Sequence, residues 1–189
     1  MKVIQLHQEE KQLIMLAVEN NRQAQQQIYA KFSSKMLSVC RQYIKDIHHA
    51  EDVMITGFMK VFTNLKNFEH KGSFEGWIRR IMVYECIDFL RVKKNNFNHQ
   101  DIEDVTISEN ESVYEMEDFS VDDIQNMIDN LPDGYKMVFN LYAIEGYKHQ
   151  EIAEMLKISE GTSKSQLSNA RKLLQQQITD LKNKLNGTK

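Results

Sequence analysis

The sequence predicts an all-α protein, made of two small helical domains joined by a flexible acidic linker, with a helix-turn-helix in the C-terminal domain. Proline occurs once and glycine seven times in 189 residues, which disfavours a sandwich or barrel built on many tight turns. Strand-like alternation is almost absent, whereas apolar residues recur every three or four positions. Residues 96–119 interrupt this pattern with an asparagine- and acid-rich stretch that has no apolar stripe.

The net charge of −3 is unevenly distributed along the chain. Residues 1–96 hold 15 Lys and Arg against 10 Asp and Glu, and residues 124–189 hold 9 against 7. Residues 97–123 hold no basic residue against 10 acids. The acidity therefore belongs to one segment, and the flanking pieces are mildly basic.

Cysteine use and hydropathy indicate a reducing compartment and no membrane insertion. Cys40 and Cys86 are far apart in helical patterns, which disfavours a disulfide framework or a four-ligand zinc site. The N-terminus lacks an apolar signal core, and no run approaches the ~20 apolar residues that span a bilayer. We therefore expect a cytoplasmic protein. The pair His48-His49 has no Cys or carboxylate at useful helical spacing, so neither a metal nor a cofactor is expected.

Four amphipathic stretches predict the helices of the N-terminal domain, residues 1–95. Their expected bounds are Glu9–Val18, Arg22 to about Ile47, Ala50–Leu65 and Phe74–Lys94. The long second helix has its stripe at Ile28, Phe32, Met36, Val39, Tyr43 and Ile47. The fourth helix is apolar on more than one face, so we expect the others to enclose it.

Aromatic and basic side chains alternate in the polar loop before Phe74 and in the helix after it. This combination suits unstacked bases and phosphates. A core helix whose arginines reach water along its surface explains the same stretch equally well.

The C-terminal domain, residues 120–189, is predicted to begin with two short helices. Ser120 to Asp123 caps the first, whose apolar face comprises Val121, Ile124, Ile128 and Leu131, and Pro132 ends it. The second runs from Tyr135 to Glu145 and is closed by Gly146 as a C-cap.

The stretch Tyr147–Leu174 is typical of a helix-turn-helix. Its first helix is expected at His149–Leu156, Lys157 and Ile158 make the turn, and Ser159 is a good N-cap for the second helix. That helix should continue to about Leu185. Leucines at 167, 174 and 181 repeat every seven residues, so the tail should either pack back on the domain, the commoner outcome, or meet a partner helix.

The polar face of the second helix is able to contact DNA. Leu167, Ala170 and Leu174 are expected to face inward. The outward residues are expected to be Thr162, Lys164, Ser165, Gln166, Ser168, Asn169, Arg171 and Lys172. Such groups reach phosphates and base edges from a helix that fits a major groove. An ordinary helical hairpin with a solvated face is the alternative for this stretch taken alone.

Three stretches carry recognisable motifs in a fixed order. They are Ala50–Val53 followed by Gly57–Phe62, then Ser73–Ile81 followed by Asp88–Arg91, and last Leu131–Tyr142, Glu145-Gly146, Glu151–Ala153 and Gly161–Ser165. Together they resemble extracytoplasmic-function (ECF) sigma factors of the sigma-70 family, the promoter-recognition subunits of bacterial RNA polymerase. The first two stretches are similar to successive helices of region 2, and the third is similar to region 4. The likeness covers roughly residues 22–94 and 120–180.

The resemblance implies a sigma factor that binds core RNA polymerase and directs promoter-specific initiation. The helix Ala50–Leu65 would bind the clamp of the β′ subunit through Asp52, Thr56, Met59 and Lys60. The loop and helix before residue 95 would melt and read the minus-ten element, and the recognition helix would read the minus-thirty-five element as duplex. The linker, residues 96–119, would thread the core enzyme. An anti-sigma factor is a further candidate partner.

The DNA-binding candidates of the two domains follow from these roles. In the N-terminal domain they are Lys71, Ser73, Trp77, Arg79, Arg80, Arg91 and Lys93. In the C-terminal domain they are Ser159 and the eight outward residues of the recognition helix, from Thr162 to Lys172.

Two other classes of protein remain as alternatives. A self-sufficient helix-turn-helix regulator, binding operators as a dimer, would explain residues 120–185 but not the Trp77 helix or the linker. A helical adaptor that binds only protein predicts no DNA binding under any condition. An enzyme is not expected, because the sequence offers no nucleophile with its base, no phosphate-cradling glycine-rich loop and no metal-ligand spacing.

Overall fold

The structure, a computed structural model, describes the backbone of residues 2–96 and 120–186 and the side chains of residues 9–92 and 120–183. The chain divides into two compact units, Met1–Asn98 and His99–Lys189. Both are helical, and the described ranges contain no strand, which confirms the predicted fold class. Of the predicted acidic linker, residues 97–119 lie outside the described residues, and the domain boundaries at 95 and 120 stay predictions.

Three helices of the first unit pack against one another, and the N-terminal helix lies against the first of these three. Their bounds are α1 Lys2–Val18, α2 Arg22–Tyr43, α3 Ile47–Asn64 and α4 Phe74–Asn96, with a 3₁₀ turn at Leu65–Asn67. The shared core contains most of the predicted apolar stripes of the second and third helices, each of these residues below one-tenth exposed: Ile28, Phe32, Met36, Val39, Tyr43, Met54, Phe58, Val61 and Leu65. Phe62, which the sequence pattern of α3 also predicted to be buried, is only half-buried.

The predicted long helix from Arg22 to Ile47 is wrong at its end. It stops at Tyr43, because Ile44 is extended and buried and the chain turns there into α3. Asp46 is the N-cap of α3, and its Oδ1 accepts a bond from the His49 backbone N–H at 2.9 Å. That bond lowers the pKa of the Asp46 carboxyl below its ordinary value. Ile47 falls at the same three- to four-residue spacing as the apolar stripe of α2 only by coincidence, and it is 43% exposed.

The histidine pair at the start of α3 also differs from its prediction. His49 Nδ1 lies 3.3 Å from Asp46, and His48 Nδ1 lies 3.8 Å from Glu51. Carboxylates therefore do stand three residues away, contrary to the expectation. Even so, in the described part of the chain no three His, Cys, Asp or Glu side chains gather where they could hold a metal ion.

Close approach of α3 and α4 depends on Gly57. A Cβ built at this position would collide with the Sδ of Met82, which is fully buried in α4. The absence of a side chain at Gly57 therefore allows the two helices to pack as closely as they do.

The second unit contains four helices in the described residues, and its second helix continues into a π-helical turn. The bounds are α5 Val121–Asp129, α6 Asp133–Phe139, the π turn Asn140–Ile144, α7 His149–Leu156 and α8 Glu160–Asn186. Its core joins α6 to α8 through Leu131, Tyr135 and Ala170, against which Phe139, Leu173 and Leu174 pack.

The helix ends of this unit agree with the sequence. Ser120 and Asp123 form a reciprocal capping box on α5, and the Ser120 bonds lower the pKa of the Asp123 carboxyl. Gly146 has φ +76 after the π turn, and the Tyr147 backbone N–H donates to the Leu141 carbonyl at 2.9 Å. Val121, predicted to be apolar and inward, is instead 82% exposed, since α5 is covered only along its C-terminal half.

The tail of α8 packs back against α5. Of the two outcomes predicted for the tail, this is the commoner one. Leu181 and Met127 both line a shallow cleft of about 270 Å³ between the two helices. A feature that the sequence did not reveal lies nearby: Lys136 Nζ is 3.4 Å from Asp129 Oδ1, and both side chains are almost fully buried.

No described helix has the length and apolar character needed to cross a membrane.

Candidate nucleic-acid interface and protein-binding face

The helix-turn-helix forms as the sequence predicts, with a left-handed turn residue. Lys157 has φ +56, and the Ile158 backbone N–H donates to the Ala153 carbonyl at 3.1 Å. Ser159 Oγ accepts from the Thr162 backbone N–H at 2.9 Å and lies 2.8 Å from the Thr162 hydroxyl. Ser159 is therefore the N-cap of α8, and its hydroxyl is engaged in the cap.

The exposed stripe of α8 consists of Lys164, Ser168 and Arg171, which share one helix face at spacings of four and three; Ser165 is also exposed. Lys164 Nζ forms an ion pair with Glu160 Oε1 at 2.7 Å, one turn earlier. This bond from Lys164 lowers the pKa of the Glu160 carboxyl. A DNA phosphate would therefore compete with Glu160 for Lys164.

The other four predicted outward residues are only half exposed: Thr162, Gln166, Asn169 and Lys172. Asn169 Nδ2 donates to the Tyr135 hydroxyl on α6 at 3.2 Å, and the Gln166 amide lies beside Gly134. These two amides are thus turned toward α6, whereas the sequence predicted that they project outward. Their inclination follows from the packing of α6 on α8, which the helical pattern alone does not specify.

A group of side chains that sequence reasoning missed joins α7, α8 and the π turn. His149 Nδ1 lies 2.9 Å from the hydroxyl of Ser163, which is fully buried. The His149 ring stacks on Tyr142, with centroids 4.7 Å apart, and the Arg171 guanidinium lies 5.7 Å from the Tyr142 centroid. The sequence predictions include Ser163 only as a member of the stretch Gly161–Ser165. A small polar residue four positions before the inward Leu167 was the available signal.

The loop before α4 and the start of α4 bring the predicted aromatic residues together. Ser73 caps α4, since its Oγ accepts from the Gly76 backbone N–H at 3.0 Å. Trp77 is half-buried and lies 5.5 Å from Phe68 and 5.9 Å from Phe74 between ring centroids. Lys71 is exposed and pairs with Glu69 at 2.7 Å.

The basic residues of α4 differ in their surroundings. Arg80 is exposed and lies over the Tyr84 ring at 5.9 Å, and Arg79 is half-buried. Arg91 pairs with Asp88 on its own helix at 3.0 Å. Trp77, Arg80 and Tyr84 follow one face of α4 at spacings of three and four, so Tyr84 extends the predicted aromatic and basic surface. The side chain of Lys93 lies outside the described residues.

The predicted polymerase-binding residues occupy the exposed side of α3. Asp52, Thr56, Met59 and Lys60 are all exposed, and Met59 is 66% accessible. Ile55 lies among them at 49% exposure and was not predicted. Lys60 forms an ion pair with the buried Glu85 of α4, so its ammonium is already partnered within the unit.

Two family models match the chain in order: Sigma-70 region 2 over residues 28–96 and Sigma-70 region 4 over residues 121–174. The chain is 30% identical over 163 residues to the ECF RNA polymerase sigma factor SigW of Bacillus subtilis (strain 168), covering 79% of this chain and 86% of the relative. It is 24% identical over 169 residues to the ECF RNA polymerase sigma-E factor of Haemophilus influenzae, covering 82% and 87%.

Solved structures of similar fold include the sigma factor RpoE in complex with the anti-sigma factor NepR from Bartonella quintana, with TM-score 0.53 and 20% identity over 82% of this chain and 96% of that one. Another is CnrH in complex with the cytosolic domain of CnrY, with TM-score 0.50 and 18% identity over 90% and 97%. Regions 2 and 4 in this order define a sigma-70 factor. The chain belongs to the ECF sigma factors of that family and is a factor for promoter-specific transcription initiation.

Proposed function

We propose that the two units divide the work of promoter recognition. The first unit, which contains region 2, binds core RNA polymerase through the exposed side of α3 and melts and reads the minus-ten element. The second, which contains region 4, reads the minus-thirty-five element as duplex through α8. The observation that carries the proposal is the exposed stripe of Lys164, Ser168 and Arg171 on the second helix of a helix-turn-helix, because this geometry presents cations and a hydroxyl to a major groove.

The exposed side of α3 supports a role in protein binding. Ile55 and Met59 lie one turn apart and expose apolar side chains, with Asp52 and Thr56 beside them. Apolar groups within a polar rim are common in protein interfaces. We assign this face to the clamp of the β′ subunit.

The face of α4 formed by Trp77, Arg80 and Tyr84 supports the assignment to the minus-ten element. Aromatic side chains stack on unpaired bases, and a neighbouring arginine attracts the phosphates. Phe68 and Phe74 are buried and their rings contact Trp77, so Trp77 is held in place where a base could stack on it.

The proposed function also gives roles to the linker and to an inhibitor. The acidic segment, residues 97–123, carries a charge of −10, so it suits a channel that accommodates nucleic acid. Relatives of this fold have been solved with an anti-sigma factor bound, as for RpoE with NepR. We propose that an anti-sigma factor also holds this chain inactive in the cytoplasm.

A gel-shift assay with and without bacterial core polymerase tests the function. The purified chain and core enzyme should co-purify, and together they should retard promoter duplex far more strongly than the chain alone. A promoter set is obtained by sequencing the RNA 5′ ends that appear on overexpression. Strong, polymerase-independent retardation of the same duplexes would favour the dimeric helix-turn-helix regulator. Failure to co-purify with core polymerase, once any bound inhibitor is removed, would falsify the assignment.

A further inference from the structure

The stack of Tyr142, His149 and Arg171 has a definite anchor. Ser163 is fully buried at the start of α8, and its hydroxyl lies 2.9 Å from His149 Nδ1. His149 in turn stacks on Tyr142, with ring planes 23° apart. The π turn, α7 and α8 each contribute to the group. The Tyr142 ring is therefore held by its stack on His149, which is itself anchored to α8 through Ser163.

Arg171 is the exposed end of this stack. Its guanidinium lies 5.7 Å from the Tyr142 centroid, and the residue belongs to the exposed stripe with Lys164 and Ser168. A ring attracts a guanidinium through its π face and accepts no conventional hydrogen bond from it, so the N–H donors of Arg171 that point away from the ring stay available to a phosphate. The ammonium of Lys164 is less available to a phosphate, because it already forms an ion pair with the Glu160 carboxylate.

We propose that Tyr142 and His149 are positioning residues that hold Arg171 ready for a DNA phosphate. A free arginine side chain loses more rotamer freedom than most when a contact fixes it, so a side chain already held in place binds with a smaller entropic cost. The proposal rests on the duplex-reading role proposed above for region 4, and it adds two residues that do not themselves belong to the exposed stripe.

The geometry is tested first in the free protein. Ring currents of Tyr142 should shift the side-chain NMR signals of Arg171 upfield in the full-length chain. Tyr142→Phe should retain the shift, and Tyr142→Leu should abolish it. An Arg171 signal at its random-coil position in the wild-type chain would overturn the proposal, whatever the protein does with DNA.

The binding role is tested with the full-length chain and a fluorescent duplex of mixed sequence, titrated at several salt concentrations. Tyr142→Leu should weaken binding about two- to fivefold, the range of an exposed cation–π contact, whereas Tyr142→Phe should bind as the wild type does. His149→Phe keeps a ring against Tyr142 and should bind more tightly than His149→Ala. Circular dichroism checks each fold, and Tyr142→Met replaces Tyr142→Leu if the leucine variant is unfolded.

A double-mutant cycle separates positioning from a general structural effect. Tyr142→Leu should have no further effect in an Arg171→Ala background but its full effect in a Lys164→Ala background, because Lys164 lies two turns away on α8. An equal loss in both backgrounds, or wild-type binding by Tyr142→Leu while Arg171→Ala weakens it, would overturn the proposal alone. A wild-type chain that binds no promoter duplex, either alone at any salt concentration or together with core polymerase, would overturn the duplex-reading function and, with it, the positioning role.

Discussion

Individual charged residues on α8 are already committed to partners within the chain. The Glu160–Lys164 pair is exposed on both sides, at 51% and 61% of the side chain, so solvent screens it strongly. A pair of this kind contributes little to stability, yet it occupies the ammonium that would contact a phosphate. Its main consequence should therefore appear in DNA binding.

Glu160→Gln should tighten duplex binding and steepen its salt dependence by up to about 0.9 in the log–log slope, the value for one phosphate contact. The matched control is Glu154→Gln, which removes the same charge from an exposed position of α7. Fluorescence anisotropy across salt concentrations measures both. Equal slopes for the two variants would show that the loss of negative charge, and not the release of Lys164, accounts for any change.

The same pair predicts a pH dependence of defined sign. Lys164 lowers the pKa of the Glu160 carboxyl. The carboxylate therefore remains ionised and paired at pH values below those at which a glutamate ordinarily takes up its proton. The pair is lost only as the pH falls through that lowered pKa, and Lys164 is then released to DNA. The difference in duplex affinity between wild type and Glu160→Gln should be constant near neutral pH and vanish at acid pH. A difference that persists after Glu160 is protonated would contradict this account.

At the scale of elements, the approach of α3 to α4 should be sensitive to a single methyl group. Gly57→Ala should destabilise the first unit by about 1–3 kcal/mol, because the new Cβ collides with the buried Met82. The neighbouring Thr56→Ala, at an exposed position, should stay within about 0.5 kcal/mol of the wild type. Denaturant unfolding measures both, and an unchanged midpoint for Gly57→Ala would mean that Met82 swings aside at no cost.

Changes on the exposed side of α3 should weaken binding to core polymerase without unfolding the protein. Charge reversal at Asp52 combined with Met59→Ala should lower affinity for core polymerase by well over tenfold, since interface hot spots cost about 2 kcal/mol or more. Met15→Ala is the control, because Met15 is a 64%-exposed methionine on α1. Co-purification with core enzyme is the measurement. A double variant that binds core polymerase normally and keeps its circular dichroism spectrum would show that this side of α3 is not part of the interface.

At the scale of the whole molecule, the acidic segment should restrain DNA binding by the free protein. Ten carboxylates without a compensating base repel a polyanion, most strongly at low salt, where the Debye length is roughly 30 Å. Changing Asp101, Glu103, Asp104, Glu109 and Glu111 to amides should tighten duplex binding by the isolated chain at low salt. An unchanged low-salt affinity would leave the segment as a tether only.

The sequence by itself determined the helical class, the order of the helices and many of their ends, although α1 begins at Lys2 and α3 at Ile47, where Glu9 and Ala50 were predicted. Apolar spacing and caps such as Ser120, Ser159 and Gly146 are local features, so they can be read without knowing what packs against them. The same reasoning found the exposed stripe of α8 and the exposed side of α3.

Only the tertiary structure decided which side chains meet across helices. Asn169 reaches Tyr135, 34 positions away, and Lys60 reaches Glu85, 25 positions away. Periodicity shows which face of a helix is apolar, but not which residue of another helix will face it. The spacing also continued through Ile47 although the chain had already turned at Ile44, because a turn that preserves the spacing leaves no trace in the pattern. The stack on Arg171 belongs to the same class, since three separate elements must be packed before its side chains meet.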